Sequence, residues 1–238
     1  MALATPRRPR STLGPLPATR VVNHEVEELY DYEVVRTLTE CTMFVVRVAS
    51  PTVVLGGSQS RSILRPELED RGLRRRRGGG GCVYLQPDDL WIDWWIPRAD
   101  ERWVLDIHHA SYLAGEWWWS ALSEQGLAPM MHQGRVEDHP EHRVACFSGR
   151  GPGELFIDEQ KAVGLTQWRV REGFFLSTVM HAAPSLPLLD LLATVPEGLA
   201  TALNHATWPE AGIDAERIVD DLRTYSRPAA LRNLYLLA

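Results

Sequence analysis

Residues 74–93 read RRRRGGGGCVYLQPDDLWID, and no other stretch constrains the fold as strongly. Four arginines run into four glycines, and a strand-like segment follows. Successive glycines make a poor helix or strand interior, so the run is a loop that ends where the strand begins. Backbone without side chains, beside fixed positive charge, lets a phosphorylated ligand come close. Taken alone, an Arg/Gly run reads more plainly as a solvated basic turn. A second feature bears on that choice. The chain has 25 Lys plus Arg residues, and Lys161, in FIDEQKAVGLTQWRVREG, is the one lysine among them. Arginine does not replace lysine where a compact point charge is needed. A surface lysine left by chance is the alternative.

At 238 residues the chain suits one domain, or one domain with an appendage. Its 45% hydrophobic content is ample for a packed core. A net charge of −6 argues against general nucleic-acid binding despite the arginine run. Three cysteines, Cys41, Cys82 and Cys146, are an odd number without a CxxC pair. That disfavours a disulfide framework or structural zinc and fits a reducing cytoplasm. No apolar run approaches about 18 residues, so no membrane span is expected.

Residues 1–20 hold four prolines, four arginines and no acid, and read as a disordered tail. Val26, Leu29, Tyr30, Val34 and Leu38 recur at helical spacing, which predicts a helix over 25–38. Residues 43–48 and 52–55 read as a strand pair turning at Ser50-Pro51, and 61–72 as a helix around Leu64 and Leu68. Strands are expected over 82–85 and 90–96, turning at Pro87-Asp88-Asp89. Aromatics on both faces of the second imply cover on both sides. A long helix is expected over 103–125, stopped by Gly126. Trp117, Trp118 and Trp119 cannot all point inward, because successive helical residues differ by about 100°. Residues 130–143 are polar and read as a solvated loop rather than a metal site on His139 and His142. A strand over 144–147 precedes a Gly-rich loop. Residues 154–157 and 161–165 form a hairpin turning at Asp158-Glu159-Gln160. Residues 167–179 suit strand or helix, and helical patterns recur near 188–193, 197–205 and 216–225.

Three stretches together resemble a known family. RRRGGGGCV, from Arg75, is similar to the RRxxGGGxV signature of lipoate–protein ligases. Lys161-Ala162-Val163-Gly164 resembles the family's second signature, a strand lysine followed by glycine. Arg47, Ser50 to Gly56 and Ser58-Gln59 resemble its opening strand pair. Order and rough spacing agree over residues 25–181. The glycines fit neither a P-loop, since no lysine follows them, nor GxGxxG, since Val83 and Tyr84 fall where the last glycine would be.

The resemblance implies an α+β fold: a mixed, largely antiparallel central sheet flanked by helices, as in class II synthetases and biotin/lipoate ligases. It divides the chain into a tail (1–20), a catalytic domain (21–181) and a helical C-terminal tail packed on it (182–238). It implies that lipoate or octanoate is joined, through an acyl-adenylate made from ATP with Mg2+, to a lysine of a carrier. Carriers would be lipoyl domains of 2-oxoacid dehydrogenase complexes or the glycine cleavage H protein, with acyl carrier protein as a further partner. Lys161 matches the catalytic lysine. Arg75, Arg76, Gly79, Gly80, Gly81, Val83, Glu154 and Gly164 match substrate- or adenylate-binding positions. Cys146 is a candidate thioester nucleophile, against a buried structural cysteine.

The chain also departs from the family. Leu85-Gln86 stands for His-Asp after the glycine loop, Phe175-Leu176-Ser177 for His-x-Gly, and Gly153-Glu154 for Asn-Asp. Fewer than 60 residues follow His181, so the large accessory domain is expected to be absent or reduced to the helical tail. Two alternatives stay open: an ATP-independent octanoyl or lipoyl transferase, and a non-catalytic relative that binds an acyl group or adenylate.

Overall fold

The computed structural model describes residues 20–25, 30–68, 72–137 and 140–226. Ten strands follow along it: β1 (Arg20–Glu25), β2 (Thr42–Arg47), β3 (Thr52–Leu55), β4 (Leu73–Arg75), β5 (Val83–Leu85), β6 (Leu90–Pro97), β7 (Met130–Met131), β8 (Leu155–Ile157), β9 (Gln160–Val170) and β10 (Gly173–Met180). Seven of them form one sheet in the order β1-β2-β6-β10-β9-β8-β7, and β4-β3-β5 form a second. Within the large sheet only β1 and β2 run parallel. The helices are α1 (Tyr32–Val35), α2 (Ile107–Glu124), α3 (Pro140–Val144), α4 (Leu188–Leu191), α5 (Leu199–Ala202), α6 (Trp208–Ala211) and α7 (Ala215–Tyr225). The architecture is α+β, a largely antiparallel sheet with helices packed on it. No helix among the described residues is long and apolar enough to cross a membrane.

The core is built around β6, which is covered on both faces. Ile92, Trp94 and Ile96 point to one side, where Ala110, Ala114, Trp117, Trp118 and Ala121 of α2 pack at helical spacing. Asp106 caps α2 by accepting from the His109 amide, and α7 lays Ile218 and Leu222 against it. Trp91 and Trp95 point to the other side, against the small sheet and against Leu188 and Leu199 of α4 and α5. Each buried tryptophan contributes roughly 4–6 kcal/mol of apolar burial before conformational entropy is subtracted. Of the tryptophan triplet, Trp117 and Trp118 are buried, and Trp119 is exposed with its indole N–H donating to the Pro129 carbonyl.

Several expected elements differ. The helix over 25–38 shrinks to α1: Arg20–Glu25 is strand, and 26–29 lie outside the described residues, as does the expected tail up to residue 19. The strands over 43–48 and 52–55 exist but do not pair. Ser50-Pro51 carries the chain from the large sheet to the small one. The helix over 61–72 is a 3₁₀ turn, Arg61–Ile63, after which Leu64 bridges Leu192. Residues 144–147 are not a strand. The end of α3 leads into a 3₁₀ turn, Cys146–Ser148, because the backbone there is held by Cys82: Cys82 N–H donates to Val144 and Cys146 N–H to Cys82. Residues 167–179 are strand throughout, apart from the Arg171-Glu172 turn between β9 and β10.

Candidate active site

β9 changes partner midway. Up to Val163 it pairs with β8, and from Gly164 with β10. The β8–β9 turn holds Asp158 and Glu159 at φ 48° and 65°, left-handed values that match the twist of a two-residue hairpin. That hairpin carries Lys161 into the interior. Its ammonium lies 2.6 Å from Glu154 Oε2 and donates to the carbonyls of Cys146 at 2.7 Å and Gly149 at 2.8 Å. Three acceptors meet the three donors of an ammonium. Glu154 also accepts from the amides of Gly151 at 2.6 Å and Leu165 at 3.2 Å. Burial pushes the Glu154 carboxyl above its usual range, against the opposing pull of Lys161 and of the two amides. Glu154 is thus the buried counter-ion of Lys161.

The Lys161–Glu154 pair lines a cleft of about 310 Å³. Its other walls are Gly79 to Gly81, Gly149 to Pro152, the start of α2 (Ile107, His108, Ser111), and Gln167. A narrow apolar slot of about 30 Å³ adjoins it, lined by Val54, Val83, Leu85, Trp91, Phe147, Gly164 and Val179 among others. Cys146, Leu165 and Thr166 line both, so the two spaces meet there. Cys146 is half-buried, whereas Cys41 and Cys82 are buried. Burial pushes the Cys82 thiol up to about 12.

The glycines of the loop do different jobs. A Cβ on Gly78 would sit 2.6 Å from Thr166 Oγ1, and one on Gly81 2.5 Å from the Ala145 carbonyl carbon. Gly80 has φ +90°, strained for any side chain. A Cβ on Gly79 meets nothing within 4 Å. Three glycines therefore seat the loop against its neighbours, and Gly79 leaves room in the cleft. Arg76 is buried and donates to the carbonyls of Val54, Gly79 and Gly81, which holds the loop's shape from inside while its side chain lines the slot. Arg75 lines neither slot nor cleft, and its Nη1 donates to the carbonyls of Gly56, Gly57 and Gln59. Arg77 stacks over Tyr32 and Trp168, 5.4 and 5.3 Å from their centroids.

Thus Lys161, Glu154, Gly79, Gly80, Gly81 and Cys146 surround one cleft; Arg76, Val83 and Gly164 line the slot; Arg75 is a loop clamp. Sequence reasoning missed Gln167, which donates to Ile107 and Ser111, and Thr166, which donates to Gly79. Leu165 and Gln167 share the parity of one strand face, but a register irregularity between Lys161 and Val163 breaks the count from Lys161. His142 Nδ1 is 2.6 Å from the Glu137 carbonyl oxygen, and His139 lies outside the described residues. No group of three or more His, Cys, Asp or Glu side chains among the described residues could hold a metal ion.

This fold is that of the solved lipoate–protein ligases. Lipoate-protein ligase A, crystallised with ATP, superposes over 88% of this chain and 85% of its own, with a TM-score of 0.68 at 18% identity. Protein Ta0514 of T. acidophilum with bound lipoic acid superposes over 88% and 84%, at 0.68 and 17%. The ligase from the bi-partite system of Thermoplasma acidophilum, studied with its E2 lipoyl domain, superposes over 88% and 82%, at 0.67 and 17%. No family model and no curated protein matches the chain by sequence.

Proposed function

We propose that this chain is a lipoate–protein ligase-type enzyme, joining lipoate or octanoate through an acyl-adenylate to a lysine of a lipoyl carrier domain. The observation that supports this reading is the junction at Cys146, Leu165 and Thr166. There a narrow apolar slot, which an acyl chain would have to widen on entering, meets a polar cleft walled by two glycine-rich segments and a buried ammonium. Among the solved structures of the same fold, one is bound with ATP, one has bound lipoic acid, and one was studied together with its E2 lipoyl domain.

In this reading the acyl carboxylate, at the mouth of the slot, attacks the α-phosphorus of ATP, and pyrophosphate leaves. Negative charge grows on the phosphoryl and carbonyl oxygens beside Lys161, where a fixed ammonium stabilises it. To reach them, Lys161 exchanges one present acceptor for substrate. That acceptor is one of the two carbonyls, Cys146 or Gly149, while Glu154 stays as counter-ion. The carrier's lysine amine then attacks the carbonyl carbon, AMP leaves, and the amine loses its proton. Glu154 is held by Lys161 and two amides, so Mg2+ would enter with the ATP phosphates rather than on protein ligands.

A second reading has one observation in its favour. Cys146 is half-buried and lines both spaces, where it would carry an acyl thioester between carriers without ATP. Intact-mass measurement of a lipoyl domain separates the two. The ligase reading expects gain of one acyl group that requires ATP and free acid. The transferase reading expects gain from acylated acyl carrier protein without ATP, lost in Cys146→Ser. A folded wild type giving neither gain refutes both.

A further inference from the structure

A sealed polar cluster lies against Phe147. His181 Nδ1 is 2.8 Å from Asp89 Oδ2, and Asp89 also accepts from the amides of Gln86 at 2.8 Å and Ala182 at 2.7 Å. His181 Nε2 is 3.4 Å from Ser185 Oγ, which is 3.3 Å from His205 Nε2. The Ser185 amide donates to that same Nε2 at 3.2 Å. His205 therefore carries its proton on Nδ1, 3.4 Å from the Ala206 carbonyl oxygen. All four residues are buried. Aspartate, histidine and serine in this order suggest an acyl-transfer triad, but none of them lines the slot or the cleft, so no substrate meets Ser185.

What the cluster does touch is Phe147. The Phe147 centroid lies 4.2 Å from that of His181 and 4.7 Å from that of His205, and the two imidazoles stack 4.8 Å apart at 30°. Phe147 in turn has the Lys161 ammonium 5.4 Å from its centroid. Gly164 makes room for the ring: a Cβ there would be 2.7 Å from Phe147 Cε2. Phe147 belongs to the turn Cys146–Ser148, and the carbonyls of Cys146 and Gly149 are two of the three acceptors of Lys161.

We infer that His181 and His205 are positioning residues for Lys161, because their stacked rings fix Phe147 and with it the turn whose carbonyls hold the ammonium. Ser185 and His205 come from the chain after the large sheet, so that segment supports the reaction centre and does more than cover the core. Burial, then the neighbouring His181 and Lys161, pushes His205 down to about 3. The ring beside Phe147 is thus neutral at ordinary pH and adds no repulsion to the ammonium.

The assay arm of the test rests on the ligase reading, and a second arm does not. Lys161 is the one lysine in the sequence, so protein labelled with 13C-lysine gives a single Cε resonance. His205→Ala should move or broaden that signal. It should also lower kcat for acyl-adenylate formation by roughly tenfold to a hundredfold, since small displacements in a site cost that much, with KM for the acid within about twofold. His205→Phe, which restores a ring, should recover most of the rate. Ser185→Ala is a smaller change that serves if His205→Ala does not fold, read by the same signal. An unmoved lysine signal in a folded variant overturns the inference whatever the assay gives. So does a moved signal with kcat per folded molecule unchanged. If wild type makes no adenylate, the ligase reading falls and the lysine signal alone decides the positioning.

Discussion

Two buried acid–base pairs meet the same phenylalanine. Lys161–Glu154, at 2.6 Å, lines the cleft; His181–Asp89, at 2.8 Å, lines neither cleft nor slot. Both are almost fully removed from solvent, and both take extra hydrogen bonds from backbone amides. Burial and pairing therefore do not tell a reacting centre from a support. Access to a cavity does, together with a charge whose acceptors can be exchanged for substrate.

The sharpest way to break this contrast is at Lys161. Lys161→Ala leaves Glu154 buried without its counter-ion, which should cost about 3–5 kcal/mol in urea unfolding. Acyl transfer should fall by at least about 10²–10³. Lys161→Met with Glu154→Gln removes both charges and should recover most of the stability but none of the rate. Recovery of rate in that double variant would make Lys161 structural. Lys161→Arg must fit a wider guanidinium into a filled site and should lose about 1–3 kcal/mol. At the sealed pair, Asp89→Ala should destabilise by about 1–3 kcal/mol for each buried donor left unpaired. KM for the acid should stay near wild type.

The glycine loop repeats the contrast on a smaller scale. Gly79→Val points into the open cleft and should weaken nucleotide binding about tenfold or more, while the melting temperature barely moves. Gly81→Ala collides with Ala145 backbone and should lower the melting temperature first. Equal effects on binding and melting at the two positions would erase the distinction between lining and seating glycines.

The sealed groups should also leave a mark on pH dependence. Burial raises Asp93 to about 7, since the hydrogen bonds from Ser177 and Trp91 compensate only in part. The folded state then binds the proton more tightly than the unfolded chain, and stability falls as pH rises from about 4 to 7. His205, lowered to about 3, works the other way: stability is lost as pH falls below about 6.5. The two should offset between about pH 4 and 6.5. Asp93→Asn should then add, relative to wild type, a rising slope of up to about 1.4 kcal/mol per pH unit, and His205→Phe a falling one. Urea midpoints across that window check this, and parallel profiles for all three proteins would contradict it.

The parts of the fold written locally were legible in the sequence. The β8–β9 hairpin declares itself through Asp158-Glu159-Gln160 between two apolar runs, α2 through its spacing and Gly126, and β6 through aromatics on both faces. What failed was decided by distant partners. Ser50-Pro51 looks like a hairpin turn but hands the chain from one sheet to another. Residues 144–147 have strand composition, yet Cys82, far away in sequence, claims their backbone. The apolar positions over 25–38 fit a helix, but Glu25, the first residue of that span, ends β1 in its parallel pairing with β2. At the candidate site, residue types could single out Lys161 and the glycines. They could not reveal that Arg75 clamps carbonyls, that Glu154 is a counter-ion, or that His181 and His205 stack behind the turn, since each depends on contacts across the chain.

In the ligase reading the Lys161 ammonium serves adenylate formation at the junction of slot and cleft. Exchange of labelled pyrophosphate into ATP, dependent on added lipoate or octanoate, tests it most directly. The wild type should show acid-dependent exchange, and the folded Lys161→Met, Glu154→Gln double variant should lose it. Exchange at the wild-type rate in that variant, or none from a wild type that binds the acid and ATP, would contradict it.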